Sequence, residues 1–269
     1  SSQSVKIIQK AGLAAGSNVT AQTVVVLSNC FATDFEYGNN VTYFYAVVFE
    51  ASFIERYTDE EIIDVMKTDE NRCTPNDNYV ISFYGLEPQT KHVLFLLGFN
   101  KDGERGELIR KEITTKSGKN QPMAYVDNVT YDAKTNKWCW ETTIGAYSTK
   151  YYQWVLEYNP AFYGSGKDAF VAWTFSKKIK EGVFTPILQS SSWTYTGTAG
   201  VTQFQTVTWG VGQDGELGGT IENTCWILNS NGVKNVNESN RNTAKGIAHI
   251  GMIVNENTLF KGATITRIR

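Results

Sequence analysis

The sequence predicts an all-β protein built from two tandem β-sandwich domains of one type, each carrying a short inserted helix. Three observations point there. Runs rich in Val, Ile, Thr, Tyr, Phe and Trp recur along the chain between Gly, Asn, Asp and Pro, the pattern of strands and turns. Val93–Glu107 (VLFLLGFNKDGERGE) is echoed by Gln205–Gly219 (QTVTWGVGQDGELGG), with Gly98/Gly210, Asp102-Gly103-Glu104/Asp214-Gly215-Glu216 and Gly106/Gly218 in register. Each reads as a hairpin, since Asp and Gly supply the φ > 0 positions of a tight turn. A hairpin recurring once per hundred-odd residues marks two copies of a domain. The 269 residues leave room for both.

In chain order, Val5–Ile8, Val19–Leu27 and Thr42–Glu50 read as strands, the last rich in aromatics and Val. Thr58-Asp59-Glu60-Glu61 is a capping box with an acidic first turn, and Ile62, Ile63 and Met66 follow as an apolar stripe at helical spacing. Tyr79–Tyr84 is a strand, followed by the hairpin with its second arm over Glu107–Thr115. The polar Ser117–Gln121 leads into Pro122 and sets the boundary, giving domains 1–117 and 122–269.

The second half repeats the order. Ala124–Tyr131, Lys137–Ile144 and Tyr151–Tyr158 are strands. Ser165-Gly166-Lys167-Asp168 reads as a second capping box, with Phe170 and Trp173 as the apolar face. Lys177, Lys178, Lys180 and Gly182 mark the helix stop. Ser191–Thr196 precedes the second hairpin, whose second arm is Thr220–Leu228. After the Asn-rich 229–243 stretch, Gly246–Val254 and Leu259–Ile268 read as an extra C-terminal β-hairpin of the second domain. In Val93–Phe99 both alternating faces are apolar, whereas an open sandwich strand keeps one face for water. The inserted helix with Ile62, Ile63 and Met66 is therefore expected to cover the outer face.

Leu86-x-Pro88-x-Thr90-x-His92, followed by alternating apolar residues, resembles the E–F corner of fibronectin type III domains, with His92 where that family has Tyr. The second copy departs further, reading Thr198-x-Gly200-x-Thr202-x-Phe204. The whole chain resembles the tandem fibronectin-type-III-like (Ig-like) modules of Bacteroidetes surface and periplasmic lipoproteins. That resemblance implies an extracytoplasmic location, at the cell surface or in the periplasm, and a lipid anchor upstream of Ser1. The start SSQSVKIIQ reads as a trimmed mature end.

Charge and motifs narrow the function classes. A net charge of −2 with scattered Lys and Arg gives no case for nucleic acid, and no apolar run reaches the length of a membrane span. No cofactor and no metal is expected. Cys30, Cys73, Cys139 and Cys225 lack CxxC spacing, and two histidines are too few for a zinc site; one disulfide per domain and four unpaired thiols both fit. His92 and His249 sit in apolar strand patterns and read as packed residues. Gly164-Ser165-Gly166-Lys167 fails the phosphate-loop pattern, with Ala161 and Asp168 at required positions. Asn100–Glu104 is half a calcium loop that turn chemistry explains as well.

All seven tryptophans lie in the second domain. Trp138, Trp140, Trp154 and Trp209 suit a sandwich core. Tyr147, Tyr163, Trp173 and Trp193, nearer loops and the helix, are the candidate ligand-binding aromatics, since an exposed ring stacks on a sugar face or anchors a protein partner. The leading expectation is a non-catalytic surface binding protein whose second domain recognises a glycan or a partner protein. A carbohydrate-active hydrolase completed by residues 229–269 and a purely structural spacer are the alternatives.

Overall fold

The computed structural model describes residues 12–158, 162–164, 166–196 and 202–236, together with the backbone of strands 248–253 and 264–267. The first expected strand, Val5–Ile8, lies outside the described residues.

The fold is all-β, with four antiparallel four-stranded sheets. The first copy contains β1 (Val19–Val26), β2 (Cys30–Tyr37), β3 (Tyr43–Glu50), α1 (Ala51–Ile54), α2 (Asp59–Met66), β4 (Arg72–Cys73), β5 (Tyr79–Tyr84), β6 (Lys91–Phe99) and β7 (Ile109–Thr114). The second contains β8 (Ala124–Asp132), β9 (Lys137–Ile144), β10 (Lys150–Glu157), α3 (Asp168–Lys180), β11 (Ser191–Thr196), β12 (Gln203–Val211), β13 (Leu217–Asn229) and β14 (Gly232–Val236). Strands β1-β2-β5 share one sheet and β4-β3-β6-β7 another. In the second copy the partition recurs as β8-β9-β11 and β10-β12-β13-β14. First, second and fifth strands against third, sixth and seventh is the Ig-like partition.

Strand β2 is absent from the sequence reading. Its inward residues Phe31, Thr33 and Phe35 are buried and do alternate, but polar Thr33 on that face and Asp34 and Glu36 on the other dilute the apolar signal.

The C-terminal hairpin expectation is corrected. Strand β15 (Ala248–Ile253) extends the β1-β2-β5 sheet, whereas β16 (Thr264–Arg267) pairs with β11, Trp193 opposite Arg267 and Thr196 opposite Thr264. Each lies at the edge of a different sheet, β15 beside β5 and β16 beside β11. Alternation shows that a run is a strand; an edge with open N–H and C=O groups decides its neighbour.

The chain clusters into two compact units. The first comprises Ser1–Thr23, Asp34–Tyr79 and Lys91–Ile113; the second comprises Val24–Thr33, Val80–Thr90 and Thr114–Arg269.

Within the first unit, helix α2 covers the outer face of β3 and β6 as expected. Ile54, Ile62, Ile63 and Met66 are buried against Tyr45, Val47 and Phe49 of β3 and Val93, Phe95, Leu97 and Phe99 of β6. The capping box forms, Thr58 Oγ1 accepting from Glu61 N at 3.3 Å while Glu61 Oε1 accepts from Thr58 N at 3.1 Å. Eight residues are too few for an isolated helix to persist, so burial must hold it, at about 2 kcal/mol per apolar side chain. Arg110 pairs with Asp59, and Arg105 with Glu60, tying the acidic first turn down. On the opposite sheet face, Phe44 meets Phe35 and Tyr37 of β2, both at 5.4 Å between ring centroids.

The second unit has two cores, one on each side of the β10-β12-β13 sheet. Between the sheets lie Trp138 and Trp140 of β9, Tyr151 and Val155 of β10, Trp193 and Tyr195 of β11, Phe204 of β12 and Trp226 of β13. On the outer face, Trp154, Val207, Trp209 and Ile221 pack under α3, as the outer face of β3 and β6 packs under α2. Helix α3 differs in being buried from Ala169 to Ser176 without a break, because Leu27, Cys30, Ala32 and Val80 cover its remaining side. Its expected capping box is corrected. The N-cap is Lys167, with no side-chain cap hydrogen bond, and Ser165 lies outside the described residues.

The hairpin echo extends to individual hydrogen bonds. Asn100 N donates to Glu104 O and Gly212 N to Glu216 O, both at 3.0 Å. Gly103 N donates to Asn100 O and Gly215 N to Gly212 O, and the two glycines have φ of +75° and +82°. Thr42 N and Thr149 N, just before β3 and β10, bond the equivalent Phe99 O and Val211 O.

At the E–F corner, His92 is 1% exposed, as a packed strand residue. The hydroxyl serving the corner is that of buried Thr115, which donates to Glu87 O at 2.6 Å and accepts from Thr90 N at 3.0 Å. In the second copy Phe204 takes the place of His92 and stacks on Tyr195; residues 198–201 lie outside the described residues.

Candidate functional site

The second copy of the hairpin helps to build a cleft. Without side chains, Gly218 and Gly219 let the hairpin pack closely on the chain segment that enters β8, and the cleft opens where the two meet. The cleft, of about 640 Å³, is walled by Lys116, Gln121 and Pro122 from that segment. Ala146 and Tyr147 come from the turn before β10, and Gln213, Asp214 and Glu216 from the hairpin. All these residues belong to the second unit.

Local hydrogen bonds fix the walls. Lys116 Nζ donates to Leu217 O at 2.6 Å, and Gly219 N to Gln121 Oε1 at 2.6 Å. Asp214 Oδ1 accepts from Glu216 N at 3.0 Å, which holds the turn. Burial pulls the Lys116 pKa below its ordinary value, and the Glu216 and Asp214 carboxylates oppose that pull. One ammonium therefore sits among two carboxylates, the three carboxamides of Asn120, Gln121 and Gln213, and one phenol ring. Such a lining suits a neutral ligand rich in hydroxyl groups. The carboxylates repel an anion, and the amide, ammonium and carboxylate groups offer hydrogen-bond partners to hydroxyls.

Of the four aromatic candidates, Tyr147 is 53% exposed and lines the cleft. Tyr163, Trp173 and Trp193 are buried and do not join it. Tyr163 packs edge-on to Tyr158, Trp173 belongs to the core around α3, and Trp193 belongs to the core between the sheets. Trp138, Trp140, Trp154 and Trp209 fill the cores, as their strand positions suggested. The sequence reading missed Lys116, Gln121, Gln213, Asp214 and Glu216 as site residues. Asp214 and Glu216 had been explained completely by the turn, and the polar linker by the boundary.

The remaining chemical motifs resolve into structure. Gly166 packs on β5, accepting a 2.8 Å bond from Ser82 Oγ; an added Cβ would lie 2.7 Å from the Tyr84 ring. Asn100 Oδ1 accepts from the Asp102 and Glu104 amides, closing a turn where half a calcium loop was weighed. None of the four cysteines is in a disulfide. Trp138 and Trp140 point into the inter-sheet core, so Cys139 between them points outward, and Cys225 is likewise turned away from Trp226. The two thiols thus lie on opposite outer faces of the sandwich. His249 falls in β15, whose side chains lie outside the described residues. Among the described residues no group of three or more His, Cys, Asp or Glu is placed to hold a metal. No helix there is long and apolar enough to cross a membrane.

Glu222 on β13 stands apart from the cleft, and burial pushes its carboxyl above the usual range. A raised folded-state pKa favours the protonated form, so folding loses stability as pH rises from about 4.3 through the raised value. Glu222→Gln removes that loss. It is expected to be more stable than wild type at pH 8, with the difference vanishing near pH 4. Urea denaturation at the two pH values checks this, and equal stability at pH 8 counts against it.

No family model and no curated protein matches the sequence. Among solved structures, the central fibronectin-III array of RIM-binding protein is similar over 79% of this chain and 69% of its own, at 8% identity and a TM-score of 0.24. The all-β sandwich assignment stands on the strand partition repeated in both copies.

Proposed function

We propose that the protein is a non-catalytic binding protein of the cell surface or periplasm, with the cleft around Tyr147 as its glycan site. The observation that carries this reading is an exposed tyrosine ring at the wall of a cleft that also presents Lys116, Gln121, Gln213, Asp214 and Glu216. A sugar offers an apolar C–H face to a ring and hydroxyls to the polar groups around it. On this reading residues 122–269, together with Lys116, Asn120 and Gln121 of the segment before them, form the recognition module.

Two features favour binding over hydrolysis. A glycosidase needs two carboxyl groups flanking one bond, the acid with a raised pKa. Asp214 and Glu216 share one turn, with Asp214 engaged in holding it, and the carboxyl pushed up by burial, Glu222, does not line the cleft. The aromatic wall favours binding over a bare spacer.

A glycan-array screen of the whole chain, followed by titration of the best hit, tests the proposal. Tyr147→Ala is expected to raise Kd about tenfold, the equivalent of ~1.4 kcal/mol, with unchanged folding. If no glycan binds, or if the variant binds as wild type, the glycan reading fails and a protein ligand takes its place. Protease sensitivity of the chain on intact source cells checks the location.

A further inference from the structure

A second exposed ring stands beside the cleft, and the following inference rests on the glycan reading above. Tyr125 of β8 is 46% exposed. Gly145 N and Ser148 Oγ both donate to Met123 O at 2.8 Å, clamping the 145–148 turn onto the start of β8. A Cβ on Gly145 would lie 3.4 Å from Tyr125 Cε2, so the ring flanks the glycine and a side chain there would crowd it. Tyr125 O–H donates to Met123 Sδ at 3.5 Å, which holds the ring beside the side chain of the residue after Pro122, a wall of the cleft. Tyr147 is two residues beyond Gly145. Two exposed tyrosines thus flank one glycine-containing turn, one ring in the cleft and the other outside it.

We infer that Tyr125 is a second stacking platform, and that the ligand is a neutral linear oligosaccharide running from the Tyr147 cleft across Gly145 and Ala146 onto Tyr125. One ring in an open cleft recovers little of the entropy lost on association. A second contact on the same chain adds to affinity at small further entropic cost, because the first has already localised the ligand. Asp214 and Glu216 set the preference for a neutral chain over an acidic one.

Calorimetric titration of the full chain with cello-, xylo-, manno- and maltohexaose, and with the matching disaccharides, tests this. At least one hexaose should bind tenfold or more tightly than its disaccharide. Tyr125→Ala should abolish that length advantage and leave disaccharide affinity unchanged, while Tyr125→Phe keeps it. Tyr147→Ala should weaken both ligands. Equal affinity for hexaose and disaccharide, or a Tyr125→Ala variant that keeps the advantage while Tyr147→Ala still weakens binding, overturns the second platform and leaves the cleft standing. Absence of binding to every saccharide removes the glycan reading and the platform with it.

Discussion

Replacing Gly98 or Gly210 by alanine is expected to destabilise the protein by about 3 kcal/mol, a large cost for adding one methyl group. The reason is close approach of two backbones. A Cβ on Gly98 would collide with Ser17 O, and one on Gly106 would lie 2.6 Å from Ser17 C. In the second copy, a Cβ on Gly210 would lie 2.5 Å from Met123 N, and one on Gly218 would lie 2.7 Å from Pro122 O. In each copy two facing glycines at the hairpin base let the segment entering the first strand cross directly over it. The obstacle is main chain, which cannot rotate aside as a side-chain tip would. Gly103→Ala is the control. Its φ of +75° makes alanine strained, yet nothing nearer than 3.9 Å opposes the Cβ, so its cost is about 1 kcal/mol. Chemical denaturation followed by tryptophan fluorescence and far-UV circular dichroism distinguishes the variants. If Gly98→Ala and Gly210→Ala unfold within 1 kcal/mol of wild type, the crossing is not rigid and the account is wrong.

Phe175→Ala should cost a comparable 3–5 kcal/mol, the range for emptying an aromatic site in a core, roughly speaking. Phe175 is fully buried on α3, with ring centroids 4.9 Å from Phe184, 5.5 Å from Trp154 and 6.0 Å from Trp209. Those neighbours are large and rigid. Trp209 is further held by its 2.8 Å bond from Nε1 to Gly218 O, so the site cannot collapse onto the space left behind. Because Leu27, Cys30, Ala32 and Val80 share that core, loss of the ring should loosen the second unit as a whole. Lys180→Ala, on the exposed end of the same helix, should change stability by under about 0.5 kcal/mol. Near-UV circular dichroism reports the tryptophan environment directly. A Phe175→Ala protein with native near-UV signal and native stability would show that α3 is not the centre of that core.

The residues legible from sequence alone were those whose structure is settled by near neighbours. The capping box at Thr58 and Glu61, the D-G turns at Gly103 and Gly215 and the lysines closing α3 depend on residues within a few positions of one another. The cover over β6 was also legible, because a strand apolar on both faces cannot leave either to water. By the same logic Trp138, Trp140, Trp154 and Trp209 were placed in cores from their strand positions.

Partners far away in the chain settled the rest. Trp173 and Tyr163 sit near a helix and a loop, where exposure is the default expectation. Trp173 is buried because Leu27, Cys30, Ala32 and Val80, far earlier in the chain, cover the free side of α3. The two C-terminal strands have the alternation of a hairpin, yet open edges on two different sheets take one each. The repeated hairpin was legible as a turn in both copies, and its glycines as punctuation. Only the tertiary structure shows the main chain crossing between those glycines, and the cleft that the second copy forms with Lys116, Gln121 and Tyr147. Turn geometry is local and can be read from Asp and Gly; a cleft is the space left between segments, and that space exists only once they have packed.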